Sequence, residues 1–348
     1  MEERTNHLPK VSIIILNWNG WKDTIECLES VYQIDYPNYE VIVVDNHSED
    51  DSIEKIKGYC DGKIKVESEF FKYTFINKPI KILECFQADS ISSNTIEEFN
   101  AITSNEKLIL IKNNKNYGFA EGNNVGIKFS LKNLDSNYVL LLNNDTVVDK
   151  SFLTQLIKVS SEDPKIGASG PKTYYYNCNG KKNVISFEGG KINFFKGNPS
   201  HITNMAHLKV PQEVDYVEGS CILVKKEIIE QIGLLDREYF LYWEETDWCA
   251  RIKKANYVLL HIPTAKIWHK NSGTPNSTNT YYMARNRFLF MKKNSNNLQM
   301  FSFLVYFFLF NFWFKTFVYL FYYKKPKMMV YFIKGTLKGI IILSKSND

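Results

Sequence analysis

Apolar residues in this 348-residue chain come in short blocks separated by polar, turn-forming clusters. The runs at residues 11–17 and 39–45 are continuous and rich in Val and Ile, as in strands buried on both faces. Asn19-Gly20 ends the first run and residues 21–33 have helical spacing, so strand, helix and strand predict a right-handed βαβ unit. Ser48 to Asp51 offers an N-cap and first-turn acids to a further helix. Residues 108–112 and 138–143 predict two more buried strands, with a helix from about Glu121 between them. Beyond these lie a helix at 151–161 that breaks at Pro164 and Gly167, and a Gly-, Asn- and Lys-rich loop or hairpin region at 180–211. A strand at 216–225, a helix at 226–232 closed by Gly233 and a helix at 248–255 follow, then short strands at 258–262 and 266–268. Residues 58–107 sustain no period and predict an insertion with short elements of its own.

The last 54 residues differ in kind. Residues 299–323 are almost wholly apolar and aromatic, long enough to span a bilayer, although Asn311 and Lys315 interrupt them. Lys292, Lys293, Lys324, Lys325 and Lys327 flank both ends, so the positive-inside rule gives no orientation. Residues 328–343 form a second apolar stretch, with Lys334 and Lys338 one turn apart as on an in-plane amphipathic helix. In-plane or re-entrant attachment is preferred to a spanning helix, and both to a packed soluble tail. The chain thus divides into an α/β domain at 10–294 and a membrane-associating helical region at 295–348.

Composition narrows the class. A net charge of +5 is too slight to suggest nucleic-acid binding. The six cysteines show no CxxC or Cys/His ligand spacing, which fits reduced thiols in a cytosolic compartment. The polar first ten residues carry no signal-peptide core, so export by that route is not expected.

Candidate chemistry gathers where apolar runs end. Asp45 closes the second strand and can accept the imide N–H of a pyrimidine base; the plainer alternative is capping of the next helix. Asn143-Asn144-Asp145 closes another strand, where Asp145 supplies a hard oxygen ligand and Asn143 a neutral one; an Asx turn is the alternative. Glu244-Glu245-Thr246-Asp247 precedes a helix behind the apolar Phe240-Leu241-Tyr242-Trp243, able to raise a carboxyl pKa towards general-base service. Those acids could instead serve only the helix macrodipole. His269 follows a strand and a Gly-Thr-Pro segment follows it, making it a candidate metal ligand. No GxGxxG or GxxxxGK[ST] motif occurs, which argues against a dehydrogenase and a P-loop NTPase.

Taken in order, residues 11–20, Val44-Asp45-Asn46, residues 116–126, residues 141–146, Gly233 to Arg251 and His269 resemble the family 2 glycosyltransferases of the GT-A fold, nearest the rhamnosyltransferase-like branch. The resemblance implies a mostly parallel central sheet flanked by helices and followed by C-terminal hydrophobic helices. It implies an acid matching Asp45 that reads the base of a UDP- or dTDP-sugar, within a nucleotide-sugar set of Asn17, Asn19, Asp45, Asn46, Gly118, Asn124 and Asn144. It implies Mg2+ or Mn2+ on Asp145, Asn143 and His269, and an acceptor-deprotonating base at Glu245. Two departures stand out. Asn143-x-Asp145 replaces the frequent Asp-x-Asp, which implies a weaker metal site. Glutamate replaces the usual aspartate base, so Glu244, Glu245 and Asp247 share that assignment. The activity implied is inverting transfer of a sugar, with rhamnose the candidate, to a cell-surface polysaccharide or glycolipid at the cytoplasmic face of a membrane. The alternative is a non-catalytic relative that binds nucleotide sugar or glycan in polysaccharide assembly.

Overall fold

The computed structural model describes residues 8–86, 92–205, 208–270 and 276–344. Residues Asn271 to Pro275, which include the glycine-containing segment after His269, lie outside them.

β1 (Val11–Asn17) and β2 (Tyr39–Asp45) are buried throughout and pair in parallel, Val11 opposite Tyr39 and Asn17 opposite Asp45. α1 (Trp21–Val31) joins them, and α2 (Ser52–Cys60) follows β2. The irregular stretch at 58–107 supplies β3 (Lys81–Phe86) and α3 (Ser93–Asn100). β3 pairs with β4 (Lys107–Lys112) as the sheet's last strand, so this segment widens the fold rather than standing apart from it. α4 (Gly118–Asn133), β5 (Tyr138–Asn143), β6 (Thr146–Val148) and α5 (Phe152–Ser160) come next.

β7 (Ile166–Tyr175) begins where a break was expected. Gly167 is there for close packing: a Cβ would lie 2.6 Å from Ile252 and 2.8 Å from Tyr257. The loop region holds β8 (Ile185–Phe187) and a separate hairpin of β9 (Gly190–Asn193) and β10 (Asn198–His201). Then come β11 (Gln212–Glu213), β12 (Cys221–Lys225), α6 (Lys226–Ile232), α7 (Glu244–Lys254) and β13 (Val258–His269). β13 is one strand rather than two. Its register slips between Ile262 and Lys266, around a proline with no N–H to give the ladder.

The sheet runs β11-β13-β7-β12-β5-β1-β2-β4-β3, with β6 on β13 and β8 on β7. Pairings from β5 to β3 are parallel, while β12 is antiparallel to both its neighbours. Strand alternation divides the core. Ile13 and Ile15 face α1, α2 and α5, whereas Ile14, Ile42 and Val44 face α4, α6 and α7.

α8 (Ser277–Asn294), α9 (Asn297–Tyr306), α10 (Phe312–Phe317) and α11 (Pro326–Ser344) build a third apolar cluster around Phe288, Phe303, Phe307 and Phe332. π-helical turns link α9 to α10 and continue beyond it, so residues 297–322 form one helix of 26 residues. Among the described residues it is the one helix long and apolar enough to cross a membrane.

α4 lies close on the sheet because Gly126 has no side chain: a Cβ there would meet Ile14 at 2.7 Å and Val44 at 3.1 Å. Gly126→Val should therefore cost about 1–3 kcal/mol from overpacking, read as a lowered urea midpoint. An unchanged midpoint would show that α4 is not held this tightly.

Candidate active site

Sheet register builds the site. β13 pairs antiparallel with β6, setting His269 opposite Thr146 and hence beside Asp145. Lys270 N–H donates to the Asp145 carbonyl at 2.9 Å, and His269 Nε2 lies 3.1 Å from Asp145 Oδ1. Asn143 N–H donates to Ser220 carbonyl at 2.9 Å, which brings the loop carrying Glu218 and Gly219 to the same edge.

Glu244 and Glu245 arrive differently. They open α7 itself, four residues earlier than the sequence predicts for that helix, and so occupy a first helical turn rather than a strand end. The chain before them is strained: Phe240, Tyr242 and Trp243 have φ of 63°, 67° and 79°, left-handed backbone rare for bulky residues. Asn286 holds this shape. Its fully buried side-chain amide lies 2.9, 2.8 and 2.7 Å from the carbonyls of Tyr239, Leu241 and Tyr242.

The result is one cavity of about 420 Å³ lined by Asn143, Asp145, Glu218, Glu244, Glu245 and His269, walled by Phe119, Pro199, His201, Tyr216, Tyr242, Trp243 and Met283. Among the described residues, four buried polar atoms of its lining have no hydrogen-bond partner: Asn143 Oδ1, Trp243 Nε1, Glu244 Oε2 and His269 Nδ1. Unsatisfied groups on this scale are costly and mark a place where a ligand would complete the bonding.

Burial, then the charge of Glu245, pushes the Glu244 carboxyl well above its ordinary range. Burial also raises Glu245, as does the Glu218 charge, although backbone N–H groups and the Thr246 hydroxyl pull it down. Burial alone would raise Asp145 and depress His269. Their mutual hydrogen bond and charge outweigh it, holding the carboxyl below and the imidazole above their usual values.

Several sequence candidates serve as struts here. Asp45 is almost fully buried and lies on the same sheet edge but does not line the cavity. Its carboxylate accepts from Asn17 at 2.8 Å and from the Ser48 hydroxyl and N–H at 2.6 and 3.0 Å. Asn19 Oδ1 accepts from the Glu49 N–H at 2.8 Å. Asn46 donates to Asn116 and Gly118 and accepts from Asn113 and Tyr117. Asn124 bonds the Leu235 N–H and carbonyl, and Asn144 donates to Thr24 and Gly20. Gly118, at φ +76°, admits Phe240, which a Cβ would meet at 2.5 Å. Asp247 turns into the protein, bonded to Arg251, Tyr239 and Asn294, and its expected share in base chemistry has no access to the cavity. Glu218, Tyr216, His201 and Asn286 went unread in the sequence. Glu218-Gly219-Ser220 fell inside an expected strand, and Asn286 in a helix with no marked polar motif.

Whether these residues suit a divalent cation can be tested on their geometry. Among the described residues, no three His, Cys, Asp or Glu side chains form a ready cage. A cation shared with a diphosphate needs fewer protein ligands. Adjacent ligands of an octahedral ion about 2.1 Å long sit roughly 3.0 Å apart, and the Asp145–His269 pair is spaced at 3.1 Å. With the orphaned Asn143 Oδ1 alongside, the donor set fits.

The acidic groups lie at the carboxyl edge of an open α/β sheet, where such sheets bind ligands, and the architecture is that of the GT-A glycosyltransferases. Solved structures share it. A mannosyltransferase from Pyrobaculum calidifontis in complex with GDP-Man and Mn2+ superposes with a TM-score of 0.56 at 13% identity, over 96% of this chain and 88% of that one. GalNAc-T7 with UDP, GalNAc and Mn2+ gives 0.52 at 14%, over 80% and 48%. The glycosyl transferase family 2 model matches residues 12–73 and 73–233, and the chain belongs to that family. Relatives include the low-salt glycan biosynthesis hexosyltransferase Agl10 of Haloferax volcanii, 25% identical over 60% of this chain and 67% of its own. The dTDP-rhamnosyl transferase RfbF of Shigella flexneri is 30% identical over 54% and 64%. An N-acetylglucosaminyl-diphospho-decaprenol L-rhamnosyltransferase of Mycobacterium tuberculosis is 27% identical over 38% and 47%. The chain spans about half to two thirds of the length of these relatives.

A carboxyl whose pKa is higher folded than unfolded stabilises the fold only when protonated. That benefit is complete below the unfolded value and lost as pH rises through the folded one. Charged Glu244 should therefore cost stability at neutral pH, and Glu244→Gln should raise the melting temperature at pH 7 but not at pH 4. An equal shift at both values would remove the burial argument. Replacing Asn286 by Leu should cost about 3 kcal/mol, roughly 1 per lost bond, and speed amide exchange at residues 240–243; unchanged exchange there would show that Asn286 does not hold the loop.

Proposed function

We propose that the protein is an inverting glycosyltransferase using a UDP- or dTDP-sugar, with rhamnose favoured, and a divalent cation at Asp145, His269 and Asn143. The observation that carries this reading is the convergence of the Asp145–His269 pair and the Glu244–Glu245 pair on one cavity. The names of the relatives support a hexosyl or rhamnosyl donor and a glycan or lipid-linked acceptor. The C-terminal helices support work at a membrane surface; its cytoplasmic face is proposed from the six free cysteines, as expected of a reducing compartment.

Glu245 acts as the base. In its charged form it takes the acceptor hydroxyl proton while that oxygen attacks the anomeric carbon from the side opposite the leaving diphosphate. When bound, the cation would neutralise charge on that diphosphate. Phe119, Tyr242 and Trp243 keep water from the reacting centre. Glu244, held well above its ordinary pKa, stays protonated more readily than its neighbour and lessens repulsion beside the base. Asp45 is proposed to read the base from the same sheet edge, two strands from Asn143 and so about 10 Å away.

Glu245→Gln should lower kcat by about 10²–10⁴ while leaving donor binding within a few-fold. Asp145→Ala should remove metal-dependent donor binding. Because Glu245 must be charged to act and its pKa lies above the ordinary 4.5, kcat/KM should fall on the acid side with a midpoint above 4.5. Full transfer by both variants would reject these roles. Nucleotide binding with Mn2+ but no donor hydrolysis or transfer in the wild type would favour a non-catalytic binding protein.

A further inference from the structure

The charge of this protein is unevenly placed. No aspartate or glutamate occurs between Asp247 and Asp348, and residues 277–344 carry ten lysines and arginines against a whole-chain net charge of +5. The rest of the protein is therefore net acidic. The same segment bears the largest run of exposed apolar side chains: Phe301, Leu309, Trp313, Phe314, Phe317 and Phe321 are 58–66% exposed. Such a surface is unusual for a part that faces only water. Basic residues beside apolar and aromatic ones complement an anionic lipid surface.

How the 26-residue helix meets lipid is fixed by what it holds. Asn311 lies near its midpoint, and its Oδ1 accepts from Arg287 Nη1 of α8 at 2.7 Å. The same guanidinium donates to the carbonyls of Gly197 at 2.6 Å and Lys196 at 2.5 Å, in the turn of the β9–β10 hairpin. Gly197 sits against Phe303, which a Cβ would approach at 2.7 Å. α11 is fastened to α8 as closely. Gly335 and Gly339 lie where a Cβ would meet the Tyr281 carbonyl at 2.4 Å and Phe288 at 2.6 Å.

A helix of this length crossing a bilayer would set its midpoint near the centre of the hydrocarbon. That position would carry Arg287, the hairpin backbone and α8 with it, against the cost of a buried cation and of unsatisfied backbone. The clamp is compatible with the helix lying flat. We infer that residues 297–344 form a platform lying in the plane of an anionic leaflet without crossing it, with Phe301, Leu309 and Phe317 dipping into the lipid and Lys324, Lys325 and Lys327 on its headgroups. Among the described residues none of those three lysines makes an ion pair. The hairpin carrying Pro199 and His201 is a wall of the candidate active cavity, so that wall rides on the membrane-seated helix. This deepens the proposed function by naming its membrane contact, yet its test needs neither donor nor acceptor.

The full chain, with Cys178→Ser to remove the half-exposed thiol, would carry a lipid-depth probe at Phe301→Cys, Leu309→Cys or Phe317→Cys in turn. Each is added to sealed phosphatidylcholine vesicles with or without phosphatidylglycerol. The expected result is binding that requires phosphatidylglycerol, with all three probes at one shallow depth. Joint replacement of Lys324, Lys325 and Lys327 by Gln should weaken binding roughly a hundredfold. A profile with position 309 deepest and its flanks shallow would mean a spanning helix and overturn the inference. So would water-exposed probes on a dimer that ignores vesicles, since the apolar face would then belong to a second copy. Either outcome leaves the transferase reading untouched, and a protein without transferase activity could still pass.

Discussion

Four carboxylates share one small cavity, and like charges held out of water repel unless something positive joins them. Asp145, Glu218, Glu244 and Glu245 all face this space, and His269 is the basic side chain paired with one of them. The pKa directions follow from that constraint: the imidazole is pulled up by Asp145, Glu244 is pushed up by burial and Glu245, and Glu245 by burial and Glu218. Such an arrangement is unfavourable for an empty protein and favourable for one that brings in a cation with its substrate.

The fold bears that cost through two independent braces. One is the sheet, where β13 against β6 places His269 on Asp145 with no choice of partner. The other is α8, whose Asn286 fixes the left-handed loop before Glu244. α8 also carries Arg287, one residue on, which clamps the cavity hairpin to the apolar helix. One helix thus links the carboxylates, the cavity wall and the C-terminal platform.

The strands and their acidic ends were legible because buried parallel strands are written locally, as unbroken apolar runs closed by polar residues. Asp145 and His269 were legible for the same reason. Less could be read where a residue's task is set by a distant partner. Asn46, Asn124 and Asn144 look like ligands in sequence, but each is consumed by backbone or side chains from other loops. Gly167 looks like a breaker and is a contact point for Ile252 and Tyr257. Asn286 and Glu218 gave no local signal, since only the folded loop shows what they face. The acidic run at 244–247 was found, but its membership changed: the helical turn sends Glu244 and Glu245 to the cavity and Asp247 into the core.

The most direct test is electron paramagnetic resonance of Mn2+ with dTDP or UDP and the intact protein. The expected result is a bound-Mn2+ spectrum carrying nitrogen coupling from His269 and phosphorus coupling from the nucleotide. Both should vanish in His269→Ala and persist in Glu245→Gln. A bound nucleotide beside a spectrum of free Mn2+, or nitrogen coupling that survives the loss of His269, would contradict it.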